Sequence, residues 1–282
     1  MVIPEVLNKL GKKSLENQKW VDSLPKFLEK LIEEWNLELG SVYTDNVSCS
    51  YVVNCIVQRK YHAVLKIGLP HLEAINEIEG LDLLNGNPTV KLLKYNKEMN
   101  AMLLEKCIPG TNLNRLQEPF QDKIICNLLK ELWNVNYKNE NFRPLEKMVN
   151  LWNEETYKNL NSFPDSNLAK EGCLIKEELI NSTKQSVLLA TDLHAGNVLK
   201  AQRKPWLAID IKPFIGDRTY DLTQHLLNCI ERLENNPKQT IYRVANLAKV
   251  DSSRLTDWLF ARLASENKGI HQKLALTLKE LR

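Results

Sequence analysis

A chain of 282 residues is long enough for one large domain or for two lobes sharing a cleft, and 43% hydrophobic with 26% charged residues is the make-up of a globular protein, not of a disordered or fibrous one. The formal net charge is only +3, with Lys and Arg scattered among Asp and Glu, so the basic footprint of a nucleic-acid binder is absent. The first nine residues lack the apolar stretch of a signal peptide and no apolar run is long enough to span a bilayer, which predicts a cytoplasmic protein with no membrane partner.

The first periodic segment is Leu24 to Leu37, where Leu24, Phe27, Leu28, Leu31, Ile32 and Trp35 recur at helical spacing; Gly40 is expected to break this amphipathic helix. Tyr51 to Val57 is rich in β-branched residues, Gln58 to Tyr61 reads as a turn, and His62 to Ile67 returns as a strand, which together predict a hairpin. From Pro70 a helical period runs through Ala74, Ile75, Ile78, Leu81 and Leu84 to the turn cluster at residues 85–88. Two further strands, Val90 to Tyr95 and Ala101 to Glu105, close the β-rich third of the chain. Residues up to Ser186 then read as helical apart from a loop around Phe163 to Asn167.

A last β island at Val187 to Ile211 holds strands at 187–190, 197–199 and 206–209, after which the chain is expected to be helical to Arg282, with Asp251 capping one helix. Six cysteines (Cys49, Cys55, Cys107, Cys126, Cys173 and Cys229) lie far apart with no C-x-x-C pair, and reduced, packed thiols are expected.

Chemistry concentrates in the β island. It contains Asp192, Leu193, His194, Ala195, Gly196, Asn197 and, at the end of the next strand, Asp210. Phosphoryl transfer needs one carboxylate to orient an acceptor hydroxyl and take its proton, while an amide oxygen and a second carboxylate hold Mg²⁺ against the phosphates. The Asp-to-Asn interval is that of the kinase signature. Taken singly, the same residues would be a turn residue, a strand-edge amide and a helix cap; all three, however, fall at loop–strand junctions, where that chemistry requires them. Upstream, Lys66 stands among apolar strand neighbours, and Glu77 on the following helix could pair with it to grip the α- and β-phosphates, with Glu73 and Glu79 as rivals. The connector Leu103 to Gly110 offers extended backbone of the kind that reads the edge of adenine.

Together these residues resemble the aminoglycoside phosphotransferase superfamily, and within it the streptomycin 6-kinase and hydroxyurea phosphotransferase branch. The resemblance runs from about Trp35 to Trp258 and is most specific at Asp192 to Leu199 and Trp206 to Asp221. It implies an α+β, two-lobed protein-kinase-like fold: a small β-rich N-terminal nucleotide-binding lobe, residues 1–105 with its helical N-terminal segment, and a larger, mostly helical catalytic and substrate-binding lobe, residues 106–282. It further implies Asp192 as catalytic base, Asn197 and Asp210 as Mg²⁺ ligands, Lys66 and Glu77 as the phosphate-positioning pair, and the backbone of Glu105 and Cys107 at adenine, with ATP or GTP as donor and a small molecule as acceptor. His194, Asp217 and Asp221 are expected to brace the catalytic loop.

Two departures from the family pattern stand out. Ala190 and Thr191 replace the usual His-Gly before the catalytic Asp, so the bracing there must differ, and the expected phosphate-covering loop, roughly Tyr43 to Ser50, has no glycine. Acidic and basic residues balance along the helical lobe, where a polycationic acceptor would call for carboxylates. Trp133, Trp152, Tyr157 and Trp258 could wall a pocket for a sugar or a neutral acceptor, although aromatics at helical spacing more often belong to the core. A metabolic kinase for a sugar or amino alcohol, and a catalytically silent nucleotide-binding relative, are the competing readings.

Overall fold

The structure, a computed structural model, describes residues 2–45, 47–72, 75–137 and 142–282. Contacts divide the chain into two units, one running through Gly110 and one from Thr111 onward. No helix among the described residues is long and apolar enough to cross a membrane.

The first unit opens with α1 (Glu5–Gly11) and α2 (Leu15–Trp35). The hydroxyl of Ser14 accepts from the Asn17 amide at 3.2 Å and caps α2, so the helix begins nine residues ahead of the expected Leu24, and Pro25 is carried on its exposed side. Gly40 does not end it. Asn36 takes the left-handed cap at φ 54°, and the chain turns directly into β1 (Leu37–Val42), an edge strand in which Gly40 lies. Strands β2 (Ser50–Val57), β3 (Tyr61–Gly68), β4 (Leu92–Asn96) and β5 (Ala101–Glu105) complete an antiparallel sheet of order β1-β2-β3-β5-β4, and α3 (Glu77–Leu84) lies in sequence between β3 and β4.

Alternation in β2 places Tyr51, Val53, Cys55 and Val57 inward, against the face of α2 that carries Trp20, Leu24, Leu28, Leu31 and Trp35. Fully burying each of the leucines contributes roughly 1.5–3 kcal/mol. The helix expected from Pro70 is shorter than its periodicity suggests. Ile75 is exposed and precedes α3, while Glu73 and Ala74 lie outside the described residues.

The second unit contains α4 (Glu118–Trp133), α5 (Leu145–Lys158), α6 (Ser166–Asn181), β6 (Ser186–Leu189), β7 (Val198–Lys200), β8 (Trp206–Ala208), β9 (Phe214–Asp217), α7 (Arg218–Leu227), α8 (Ile230–Asn235), α9 (Pro237–Ala248), α10 (Ser252–Ala264) and α11 (Gly269–Lys279). β7 and β8 form the expected hairpin, but the chain is not helical straight after Ile211. Phe214–Asp217 is a strand, paired antiparallel with β6 through Val187 opposite Gly216. Its four residues show no period of their own, and the pairing is supplied by a strand distant in sequence.

Asp251 caps α10 as expected, accepting from the Ser253 and Arg254 amides. α6 and α10 approach so closely that a Cβ on Gly172 would lie 2.8 Å from the Ala261 carbonyl oxygen.

Helices α4, α7, α8 and α9 meet around one wholly buried carboxylate. Asp122 lies 2.8 Å from each of His225, Arg232 and Arg243. Burial works to raise its carboxyl, but hydrogen bonds with His225 and Arg232 hold it down at about 2. Because that is below the unfolded value of about 4, the stabilisation is complete above about pH 4 and is lost as pH falls through about 2. Asp122→Asn is expected to cost about 3–5 kcal/mol at neutral pH by taking from buried Arg232 its close counter-charge at 2.8 Å and leaving only the half-exposed Glu118 at 3.8 Å. It should also flatten the acid limb of stability. Urea titrations of both proteins at neutral pH and at about pH 3 read both effects.

Candidate active site

In the first unit, β3 carries Lys66 opposite Val52 and Met102. Its amine is buried and lies 2.6 and 2.7 Å from the two carboxylate oxygens of Glu77, the first residue of α3. Such a cation persists away from water only with a close, well-bonded partner. Of the three glutamates the sequence offers, geometry selects Glu77: Glu79 pairs with Lys97 at 2.8 Å on the surface, and Glu73 lies outside the described residues.

The Glu105 amide donates to the Lys91 carbonyl at 2.9 Å. Cys107, two residues further on, is buried. In the glycine-free loop, the Tyr43 amide donates to the Val52 carbonyl at 2.9 Å and Cys49 Sγ lies 3.6 Å from His71 Nε2, while Asn46 lies outside the described residues.

In the second unit, β6 ends at Leu189 and the chain bends through Ala190 and Thr191 into Asp192. Asp221, on the first turn of α7 and wholly buried, fastens that bend. It accepts from the Ala190 amide at 3.0 Å, from the Thr191 amide at 2.6 Å and from the Trp133 indole at 2.9 Å. Burial pushes its carboxyl up to about 6 against the pull of those donors. Thr191 sits in the left-handed region at φ 48°, a conformation that a β-branched residue adopts only when its surroundings enforce it. Its hydroxyl donates to the Lys212 carbonyl at 2.6 Å, and the Lys212 amide donates to the Ala190 carbonyl at 2.9 Å. These bonds brace the loop where the family pattern has His-Gly.

A single 3-10 turn, Ala195–Asn197, follows, with His194 Nδ1 accepting from the Gly196 amide at 3.1 Å. The Asn197 side-chain nitrogen donates to the Asp192 carbonyl at 3.0 Å, which leaves the amide oxygen as the atom suited to a cation. The Ile209 amide donates to the Asn197 carbonyl at 2.9 Å, bringing the Asp210 bend alongside; Asp210 itself is left-handed at φ 55°. Burial pushes the His194 imidazole down, while the nearby carboxylates of Asp192 and Asp210 act on it in the opposite sense. Asp192, Asn197 and Asp210 thus gather at one end of the β7–β8 hairpin, and His194 and Asp221 brace the loop. Asp217 caps α7 and accepts from Arg254 and from the Trp258 indole, both at 2.6 Å.

No group of three or more His, Cys, Asp or Glu able to hold a metal occurs among the described residues. One amide oxygen and one carboxylate nevertheless suit Mg²⁺, which keeps several waters and takes phosphate oxygens rather than an all-protein cage.

Two side chains at Asp192 went unassigned in the sequence. Lys212 Nζ lies 2.8 Å from its Oδ2, and Gln224 Nε2 donates to its Oδ1 at 2.8 Å. The signal for Lys212 was its place two residues past Asp210; Gln224 has none, since a glutamine on a helix is ordinary. Trp133 and Trp258 do not wall a pocket: both are core residues, with their N–H groups engaged by Asp221 and Asp217. Trp152 is half-buried and Tyr157 exposed.

The sequence model of the aminoglycoside/hydroxyurea antibiotic resistance kinases matches residues 35–267. Streptomycin 6-kinase of Streptomyces griseus is 29% identical over 260 residues, covering 88% of this chain and 83% of that protein. Among solved structures, Plasmodium vivax ethanolamine kinase superposes with TM-score 0.60 at 14% identity, covering 99% of this chain and 93% of that one. A spectinomycin phosphotransferase in complex with ADP and spectinomycin superposes with TM-score 0.55 at 14% identity, covering 91% and 93%. These likenesses place the α+β chain among kinase-like folds.

Proposed function

The chain belongs to the aminoglycoside/hydroxyurea antibiotic resistance kinase family, and we propose that it is an ATP- and Mg²⁺-dependent enzyme that moves a γ-phosphoryl group onto a hydroxyl of an aminoglycoside-like or hydroxyurea-like acceptor. That it is a small-molecule kinase follows from the family; the donor, the metal, the acceptor and the residue roles are the proposal. The observation that carries it is the gathering of Asp192, Asn197 and Asp210 at one hairpin end, with Asn197 bonded to the Asp192 backbone at 3.0 Å.

Asp192 accepts a hydrogen bond from the acceptor hydroxyl and takes its proton as the new O–P bond forms and the bond from the γ-phosphorus to the ADP oxygen breaks. Lys66, aimed by Glu77, neutralises the α- and β-phosphates, and the backbone of Glu105 and Cys107 contacts adenine. Asn197 and Asp210 would hold Mg²⁺, which would offset charge on the phosphate oxygens. The enzyme works in the cytoplasm, where ATP is available.

Lys212 beside Asp192 favours a neutral acceptor of the hydroxyurea kind over a polycation, since a cation already occupies the flank of the base. The same feature keeps a metabolic sugar kinase in view as a second reading. The test is an acceptor screen. ADP release is followed with Mg²⁺ and ATP, then GTP, against hydroxyurea, aminoglycosides, sugars and amino alcohols. Turnover of hydroxyurea or an aminoglycoside is expected. Turnover confined to sugars or amino alcohols would establish the second reading, and no ADP release together with no thermal stabilisation by Mg²⁺ and ATP would sink both.

A further inference from the structure

We propose that Gln224, held by Arg262, is a positioning residue for Asp192, an inference that rests on Asp192 being the base. Gln224 lies three residues beyond Asp221 on α7, so the two side chains share one face of the helix. Asp221 holds the amides of Ala190 and Thr191, and Gln224 holds the carboxylate of the next residue, Asp192, at 2.8 Å. One helical face thus fixes three successive residues of the loop.

What orients Gln224 comes from α10. Arg262 Nη2 donates to the Gln224 side-chain oxygen at 2.9 Å. An arginine can only donate, so the oxygen of the amide must face it and the NH₂ must face Asp192; the alternative flip would set donor against donor and acceptor against carboxylate. Arg262 is itself fixed, with Nη1 on the Thr223 hydroxyl at 2.6 Å and its guanidinium 5.0 Å over the Tyr220 ring.

Arg262 is half-buried, and its guanidinium hydrogen bonds go to the Thr223 hydroxyl and the Gln224 side-chain oxygen, neither of which is charged. Its charge therefore falls on the Gln224 carbonyl, polarising the amide and strengthening the N–H that reaches Asp192. Lys212 holds the other carboxylate oxygen at 2.8 Å, so Gln224 fixes the rotation of the carboxylate about a line that Lys212 alone would leave open.

The experiment compares Gln224→Leu, Gln224→Glu and Asp192→Asn singly and the Gln224→Leu/Asp192→Asn pair, reading kcat, both KM values and Tm. Gln224→Leu is expected to lower kcat roughly ten- to a hundredfold with both KM values kept, the scale of a small misplacement of a reacting group. Gln224→Glu keeps the tie to Arg262 and so keeps Tm, but it sets a carboxylate against Asp192 and should lower kcat at least as far. A merely structural glutamine would instead be rescued by Glu. In the Asp192→Asn background, Gln224→Leu should add no further loss, because its effect runs through that carboxylate. Full activity of both Gln224 variants beside an impaired Asp192→Asn would overturn the positioning role alone; full activity of Asp192→Asn would overturn the base assignment and this role with it.

Discussion

Asp192→Asn is expected to lower turnover by at least about a hundredfold while leaving nucleotide affinity nearly unchanged, the usual contribution of a positioned proton acceptor. The substitution keeps the shape of the side chain and its oxygen can still accept from Gln224 at the present 2.8 Å; the new NH₂ faces the Lys212 ammonium, which must turn aside, while the backbone bonds that hold the loop are untouched. What disappears is the capacity to take the acceptor's proton and the charge that faces Lys212. Affinity for ATP is retained because the groups assigned to its phosphates, Lys66 and the metal ligands, are untouched. Steady-state ADP release and a Mg²⁺–ATP titration on the same preparation separate the two quantities. Unimpaired turnover would remove Asp192 from its role.

Asp210→Ala is expected to abolish Mg²⁺-linked nucleotide binding, and an unchanged titration would reject the ligand role. The backbone requires a control. Asp210 is left-handed at φ 55°, where Asp and Asn are tolerated and Ala is disfavoured by about 1–2 kcal/mol. Asp210→Asn should therefore keep the stability of the ligand-free protein while still losing the charge that holds the metal. Thermal unfolding with and without Mg²⁺ and ATP distinguishes the two losses, because saturation at about a hundred times Kd stabilises a protein by about 2.7 kcal/mol. In Asp210→Asn that increment should be missing from a protein whose baseline Tm is unmoved.

The parts of the fold that were readable from the chain are those with their own period or punctuation. The alternation of β2, the β-branched start of the 51–67 hairpin and the Asp251 cap all show in a few neighbouring residues. β1 and β9 did not show. The first contains Gly40 and follows a helix without a break, and the second is four residues whose partner, β6, lies far upstream.

The site divides in the same way. Asp192, Asn197 and Asp210 are close enough in sequence to form a pattern, whereas the choice of Glu77 over Glu79 needed the register of a strand against a helix. Thr191 is instructive: glycine suits the left-handed bend before Asp192, and threonine is retained there by its bonds to Asp221 and Lys212, contacts that no local pattern announces.

Asp221 settles when the loop acquires its shape. With the amides of Ala190 and Thr191 sealed against a carboxylate that water does not reach, the bend is set once, as the polypeptide folds, and not anew at each encounter with substrate. Ordering a backbone residue costs roughly 1–2 kcal/mol, and here that entropy is surrendered in advance. Reactants therefore meet dipoles already standing in place, and the exchange of those two amide protons with solvent should be as slow in the empty protein as in the loaded one.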